Sequence, residues 1–590
     1  MAPAQRIDWG TVAAALAIVF AAAAMVAPEG LRGNRLTHDG YEHLAIAHSW
    51  LSGAGFVDPV QWHYYLDVSP PLPATAVRAP IISLLIALPF AAGASIPTVI
   101  VIHAVWSAIV IGALFLVATR FMRRRAAAAA ALLVATFPSW NLYLAVTPLT
   151  EVTATACYLL VLATAGGVLR SQRAALLCAA ATLLAALTRP NLLALVLAVG
   201  VAAVWEVGVH RALRERRIWV YILTFSVAFT TIALAVKAVT GVGLYAGYGV
   251  QSEMLSYADV WRYDREYAGF WNFVQERADE IAIRIRENAT QLAQVLTLHS
   301  TFNLVGWLLP FALLYGLARP RDGVLFHRIN AFSILGFSLI LIVNYSAFEA
   351  IRYPLWVAVP VCLTGAGLLD VLAQRLERRV SMTGADAKPR VRDRLCCAPG
   401  WIPLSIVSLV SLATVSFALA AVPEAWQRYE RARKGTFLYE KDDDLLTLCA
   451  RIDSDAVVAS SNPWQVLYWC GNAGVRMPID PISNEVRDRF VEELRVAYIL
   501  LSRSQTRPGL DSARWLRSLE SSDAFQLVVN WGPLALYEVK GAPPETRPWK
   551  APLPLVCAGL ESECTRLIAP RRGVRSERDT GFENRRQSRE

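Results

Sequence analysis

Residues 96–125, IPTVIVIHAVWSAIVIGALFLVATRFMRRR, decide how the rest of the chain is read. The stretch 96–119 contains no Asp, Glu, Lys or Arg. A helix crossing a bilayer needs about 20 mostly apolar residues, so this stretch is long enough to span. Four arginines follow at once in RFMRRR, residues 120–125. Lys and Arg concentrate in cytoplasmic loops, which places this turn inside and residue 96 outside. Upstream, the apolar run 79–94 is short and opens on Pro80. Reading it as a span would put RFMRRR outside, so an interfacial helix suits it better.

Outward from that point the same pattern repeats. Apolar runs at 11–28, 96–119, 126–143, 150–169, 174–188, 191–208, 218–240, 299–318, 328–345, 353–373 and 401–422 predict about eleven spans. The first run lacks a cleavage signature and reads as a retained span. With the N-terminus inside, the inner connections are 120–125, 169–173, 206–217, 319–328 and 374–400. They carry four, two, four, three and seven Arg or Lys, twenty in all. The short outer turns 143–150, 188–190 and 345–352 carry only Arg189 and Arg352. Composition agrees: of 590 residues, 55% are hydrophobic and 18% charged, against about 25% charged in soluble domains. The net charge of +10 then reflects basic inner loops and not a nucleic-acid partner.

The predicted fold class is a multi-pass α-helical membrane protein with a small extracytoplasmic α/β domain. Residues 1–422 form the membrane region, with a first outer loop at 29–95 and a long outer loop at 241–298. The latter contains an amphipathic helical stretch. Residues 423–545 form the α/β domain: AVVAS at 456–460 and VAYILLS at 496–502 read as strands, FQLVVN at 525–530 and LALYEV at 534–539 as a hairpin. DDDLLTLCARI at 442–452, PWQVLYWC at 463–470, NEVRDRFVEEL at 484–494 and DSARWLRSLE at 511–520 read as helices. The Arg-rich end, 546–590, has the composition of a disordered tail. Cys157, Cys178 and Cys362 fall in spans as packed apolar residues, while Cys449–Cys470 or Cys557–Cys564 are candidate disulfides outside.

Ionisable residues beside an apolar bundle are costly, so each one is a candidate for function. HDGYEHLAIAHSW, 38–50, places Asp39, Glu42 and His43 just beyond the first span. Asp39 and Glu42 are three apart and share a face if helical. A carboxylate in low dielectric suits a general base; the plainer reading is that Asp39 caps a helix starting near Gly40. A divalent metal at His38, Asp39, Glu42, His43 and His48 is a further reading, without a recognised ligand spacing. Arg78, Glu151 in TPLTEVT, Arg189 in LTRPN, and Arg352 with Tyr353 in FEAIRYPLW all fall at the outer face. Single arginines there snorkel to lipid phosphates. Three arginines with carboxylates at one face suit a lipid-linked phosphate beside a base.

In this order, HDGYEHLAIAHSWLSGAGF, RAPIISLLIALPF, RFMRRR, LTE at 149–151, LTRPN at 187–191, RYPLWVAVP at 352–360 and VVASSNPWQVLYWCGNAGVRMPID resemble the GT-C glycosyltransferases. That superfamily includes protein O-mannosyltransferases and lipid A aminoarabinose transferases. The resemblance implies two helices in the first outer loop and a site at the outer face, in the inner membrane of a cell envelope. It implies transfer of a sugar, with inversion, from a polyprenyl-phosphate donor to a glycolipid, polysaccharide or protein acceptor. Asp39 matches the general base and Glu151 a second acidic position; Arg78 and Arg352 match basic positions for the donor phosphate, and Arg189 a commonly basic one. Glu42, His43 and Tyr353 are substrate-binding candidates beside them. Gly40 stands where many members have a second acidic residue, and His43 where many have Tyr. Two alternatives remain open: an envelope polysaccharide polymerase or ligase, and a transporter of lipid-linked sugars.

Overall fold

The computed structural model describes residues 8–32, 38–62, 72–137, 140, 147–251, 253–254, 263, 269–298, 303–318, 324–343, 355–383, 448–449, 451–453, 455–478, 483–502, 512–531 and 534–541. The chain opens with α1 (Trp9–Arg32), α2 (His38–Leu51), α3 (Pro80–Ala91) and α4 (Ile96–Ala118). A helical bundle follows: α5 (Arg124–Ala135), α6 (Thr150–Ala165), α7 (Gln172–Thr188), α8 (Ala194–Val207), α9 (Val209–Ala212) and α10 (Arg216–Thr240). Beyond it come α11 (Ala246–Gln251), α12 (Phe270–Glu276), α13 (Ala278–Leu298), α14 (Asn303–Ala318), α15 (Val324–Val343) and α16 (Leu355–Thr383).

Among the described residues, six helical segments are long and apolar enough to cross a membrane: Trp9–Leu31, Ile96–Ala118, Pro190–Val207, Arg216–Thr240, Leu325–Val343 and Leu355–Arg375. The chain is a multi-pass membrane protein. Pro80–Ala91, Thr150–Ala165, Gln172–Thr188 and Val305–Ala318 are shorter apolar helices. Eleven spans are therefore not reached among the described residues. The expected span 126–143 is the clearest departure, because α5 has 12 residues. At 1.5 Å per residue it is about 18 Å long, against a hydrocarbon core of about 30 Å. The expected span 401–422 lies outside the described residues. The stretch 79–94 forms the 12-residue helix α3, too short to span, as expected.

Small residues let the helices approach closely. A side chain on Gly112 of α4 would run into Val19 of α1, and one on Gly306 of α14 into the backbone at Leu296 of α13. The bundle core joins Ala22, Leu114, Tyr158, Phe326 and Trp356 from α1, α4, α6, α15 and α16.

The C-terminal region is α/β, with α17 (Pro463–Cys470), α18 (Asn484–Glu493) and α19 (Ser512–Glu520). The strands are β1 (Val57–Asp58), β2 (Val60–Gln61), β3 (Leu72–Pro73), β4 (Val457–Ser460), β5 (Gly474–Arg476), β6 (Val496–Ser502), β7 (Phe525–Trp531) and β8 (Leu534–Val539). They form two sheets: β1 pairs with β3, and six strands run in the order β2-β5-β4-β6-β8-β7. The elements at 456–539 fall where their patterns place them. The exception is 442–452, of which only 448–449 and 451–452 are described.

The six-stranded sheet is not built from the C-terminal region alone. β2, between α2 and α3, pairs parallel with β5: Val60 faces Gly474 and Gln61 faces Val475. Leu44, Val60, Trp62, Ile82 and Val99 share one core with Trp464, Val475, Phe490 and Ile499. The loop after α1 is thereby fixed to the domain that closes the chain. Of the two candidate disulfides, Cys449–Cys470 is formed, and Cys557–Cys564 lies outside the described residues. Cys157, Cys178 and Cys362 are free and buried.

Candidate active site

Helix α2 begins at His38, with Asp39 in its first turn. A carboxylate there is favoured by the helix dipole, and the helix begins before Asp39 rather than at Gly40. Asp39 and Glu42 point to one face and meet the same partner, Arg78. Its position is fixed by a 3₁₀ turn, Ala74–Ala76: the amides of Val77 and Arg78 donate to the Ala74 carbonyl at 3.2 and 2.7 Å. Pro80 then opens α3 at a position where its missing N–H costs nothing.

Arg78 Nη2 lies 2.8 Å from Asp39 Oδ1, and Arg78 Nε donates to Glu42 Oε2. The guanidinium also lies over the Trp62 ring, 5.4 Å from its centroid. The other oxygen of Glu42 accepts from Trp464 Nε1 at 2.9 Å. Trp464 sits in α17, so the C-terminal domain places a donor directly on this carboxylate. The Arg476 guanidinium of β5 lies over the Trp464 ring, 5.6 Å from its centroid. Glu42 is fully buried, whereas the Asp39 side chain is 21% exposed. A base that must reach a substrate needs that exposure; a residue that holds Arg78 does not.

Burial raises the Glu42 pKa, and Asp39 adds repulsion, against the attraction of Arg78 and the Trp464 hydrogen bond. Burial also opposes charge on Arg78, but Asp39, Glu42, Tyr248 and Asp58 outweigh it and raise its pKa well above the ordinary value. The guanidinium stays charged.

A second pair stands at the adjoining helix ends. Arg189 Nη1 donates to Glu151 Oε1 and to Thr150 Oγ1, both at 2.7 Å. Glu151 is fully buried in the first turn of α6. Arg189 ends α7 in extended backbone, as the following Pro190 requires. Its guanidinium lies 5.3 Å from the Trp356 ring centroid. Tyr245 links the two pairs: its amide donates to the Thr75 carbonyl at 3.0 Å and its hydroxyl to the Ala186 carbonyl at 2.8 Å. One contact lies three residues before Arg78, the other three before Arg189.

His43 is buried, its Nδ1 3.0 Å from Ser83 Oγ; it ties α2 to α3. Arg352 and Tyr353 lie outside the described residues. Among the described residues no group of three or more His, Cys, Asp or Glu side chains is arranged to hold a metal ion. Asp39 and Glu42 instead share a guanidinium. The sequence reading missed Asp58, Trp62, Tyr245, Trp356 and Trp464 as site residues. Trp464 and Trp356 carried a signal, as aromatics in the quoted PWQVLYWC and RYPLWVAVP.

The sequence matches no family model and no curated protein. Among solved structures it is similar to ArnT from Cupriavidus metallidurans bound to undecaprenyl phosphate, with TM-score 0.47, 13% identity, 92% of this chain and 100% of that chain covered. The apo state of the same ArnT gives TM-score 0.45 at 13% identity, over 90% of this chain and 97% of that one. The Archaeoglobus fulgidus oligosaccharyltransferase, tethered to an acceptor peptide, gives TM-score 0.46 at 11% identity, over 84% of this chain and 69% of that one. Both proteins belong to the GT-C superfamily that the sequence resembles.

Proposed function

We propose that the protein is an integral-membrane inverting glycosyltransferase. It moves a sugar from a polyprenyl-phosphate donor to an envelope acceptor on the extracytoplasmic face. One observation carries the reading: Arg78 is held against a partly exposed carboxylate, Asp39, by a second carboxylate, Glu42, that is fully buried. Asp39 takes the proton of the acceptor hydroxyl as its oxygen bonds to the anomeric carbon. The bond to the donor phosphate breaks on the opposite face, and Arg78 balances the charge left on the polyprenyl phosphate. A general base contributes about 10²–10⁴-fold, and a fixed cation beside the leaving phosphate adds electrostatic stabilisation. Glu42 positions Arg78. Glu151 and Arg189 form a second charged pair, linked to the first through Tyr245, and Arg352 and Tyr353 are proposed as further donor contacts.

The sequence resemblance and the Cys449–Cys470 disulfide, a bond suited to an oxidising compartment, support this reading and its side of the membrane. The test is release of free polyprenyl phosphate from a panel of labelled polyprenyl-phosphate sugars. Purified protein and membrane extract as acceptor are used, with Asp39→Asn alongside. The expected result is turnover of one donor, reduced at least about 100-fold in Asp39→Asn. Equal turnover in both proteins removes Asp39 from the chemistry. No turnover of any donor by the folded protein overturns the reaction class.

A further inference from the structure

A third carboxylate lies within the electrostatic reach of Glu42 and Arg78. Asp58 ends β1, where the first outer loop leaves its own two-stranded ladder and crosses into the outer sheet. The residue is 1% exposed. Its Oδ1 accepts the Val60 amide at 3.0 Å, which closes the turn between β1 and β2. Its Oδ2 is buried and has no hydrogen-bond partner among the described residues. The turn explains one oxygen and leaves the other.

Charge counting gives the second oxygen a role. The charged groups acting on Asp58 are Glu42 of α2, which repels it, and Arg78 before α3, which attracts it; Asp39 and Tyr248 act on the same Arg78. Arg78 already serves two carboxylates. A third anion, buried and without a described donor on one oxygen, would carry a desolvation cost that the Val60 amide and the charge of Arg78 offset only in part. Repulsion would then fall on Glu42, the residue that aims Arg78. A neutral acid at the same place removes that repulsion and leaves Arg78 committed to Asp39 and Glu42.

We propose that Asp58 is a positioning residue of the site: a proton-bearing carboxyl behind Glu42 that keeps Arg78 aligned on Asp39. Burial, first, and the nearby charge of Glu42, second, raise its pKa well above the ordinary aspartate range, in keeping with this role. Ionisation of Asp58 at high pH places a negative charge beside Glu42 and loosens Arg78. It also weakens the local hold on an anionic donor. The catalytic part of the inference rests on the glycosyltransferase reading; the protonation state does not.

The experiment uses the full chain in lipid nanodiscs, comparing wild type, Asp58→Asn and Asp39→Asn. Asn retains an oxygen for the Val60 amide and cannot ionise. The sign follows from linkage: an acid whose folded pKa is raised contributes stability at low pH and loses it as pH rises through the folded value. The melting temperature of wild type is therefore expected to fall relative to Asp58→Asn as pH rises from about 4, the unfolded aspartate value. Infrared difference spectra are expected to show a protonated-carboxyl band at neutral pH in wild type and Asp39→Asn that Asp58→Asn lacks. Turnover of polyprenyl-phosphate sugar by Asp58→Asn is expected to drop about threefold to tenfold and to lose the alkaline decline of wild type.

Parallel melting curves, or no carboxyl band assignable to Asp58, overturn the proposal whether or not any donor is turned over. A rate–pH profile in Asp58→Asn with the wild-type shape also overturns it, because a purely structural turn residue would leave that shape unmoved. If no donor is turned over by wild type while the melting and infrared results hold, the glycosyltransferase reading fails and the proton on Asp58 stands.

Discussion

Two clusters of arginines and carboxylates, at opposite ends of α1 and α4, solve different problems. One joins Arg78 to Asp39 and Glu42 beyond the C-terminal end of α1. The other follows α4: Arg123 pairs with Asp370 and Glu377 of α16, Arg125 with Glu377, and Arg124 with Asp8 before α1. α4 has 23 residues, so its length alone separates these ends by about 34 Å. The pairings look alike, but apart from Asp370, whose side chain is 4% exposed, the burial differs. The Glu42 and Arg78 side chains are 0% and 13% exposed, whereas those of Glu377 and Arg125 are 39% and 31% exposed. Exposed pairs contribute about 0–1 kcal/mol and are easily replaced. Buried pairs cost desolvation, and apolar packing commonly matches them in stability. A chain that keeps a buried pair beside a partly exposed carboxylate is better explained by chemistry at the site than by stability. The basic turn 123–125, by contrast, anchors helix ends at the bundle's surface.

The largest expected effect breaks the buried cluster. Arg78→Met removes the only salt-bridge partner described for Glu42 and should cost about 3–5 kcal/mol. Arg125→Gln at the other end should change stability by less than about 1 kcal/mol. Thermal or denaturant unfolding in detergent would measure both. Arg78→Lys serves as the control for folding. It restores the charge but not the two-pronged contact, so it should recover most of the stability while donor turnover stays depressed. Equal losses from Arg78→Met and Arg125→Gln would erase the distinction between the clusters.

A smaller effect sharpens the role of the C-terminal domain. Trp464→Phe keeps the ring between Trp62 and Arg476 but deletes the N–H that reaches Glu42. A hydrogen bond to a charged group contributes about 1.5–3 kcal/mol, and that is the expected loss. Turnover should fall with it, because Glu42, which aims Arg78, is then itself held from one side only. A variant with full turnover would mean that the C-terminal α/β region rests beside the site without supporting it.

The two clusters also differ in how much of them the sequence could reveal. Asp39 and Glu42 were readable as a pair because a spacing of three has a fixed consequence on a helix. Arg78, Glu151 and Arg189 stood out because charge is rare at that face. Their pairing was not readable: Glu151 and Arg189 meet through the packing of α6 on α7, and periodicity specifies faces, not partners. The two-residue strand Val60–Gln61 has no pattern of its own, and its partner Gly474 lies more than 400 positions away. The contact of Trp464 with Glu42 depends on that strand, so it was hidden for the same reason. A side chain at Gly474 would press on Pro463, with the added carbon 2.7 Å from Pro463 Cβ and 2.8 Å from its carbonyl. The C-terminal α/β region's elements were legible because short alternating strands between polar turns read locally. The span count was not, since apolar content in an Ala-rich stretch such as 124–135 does not fix where a helix ends.

The smallest expected effect is also the most discriminating, because the two clusters should respond to pH with opposite signs. Burial raises the pKa of Glu42, with Asp39 adding to it. Its stabilising contribution is complete below the ordinary glutamate range and is lost as pH rises through the raised value. For Glu377, slight burial is outweighed by hydrogen bonds and charge from Arg125 and Arg123, and the pKa is lowered. Its contribution is present above the ordinary glutamate range and is lost as pH falls through the lowered value. Melting temperatures of wild type, Glu42→Gln and Glu377→Gln across pH would separate the two. The advantage of wild type over Glu377→Gln should shrink in acid, and solvent screening keeps it small throughout. Relative to Glu42→Gln, wild type should lose ground as pH rises. Slopes of the same sign would mean that Glu42 behaves as an ordinary paired surface carboxylate, and the case for a protected charge cluster beside Asp39 would fall with it.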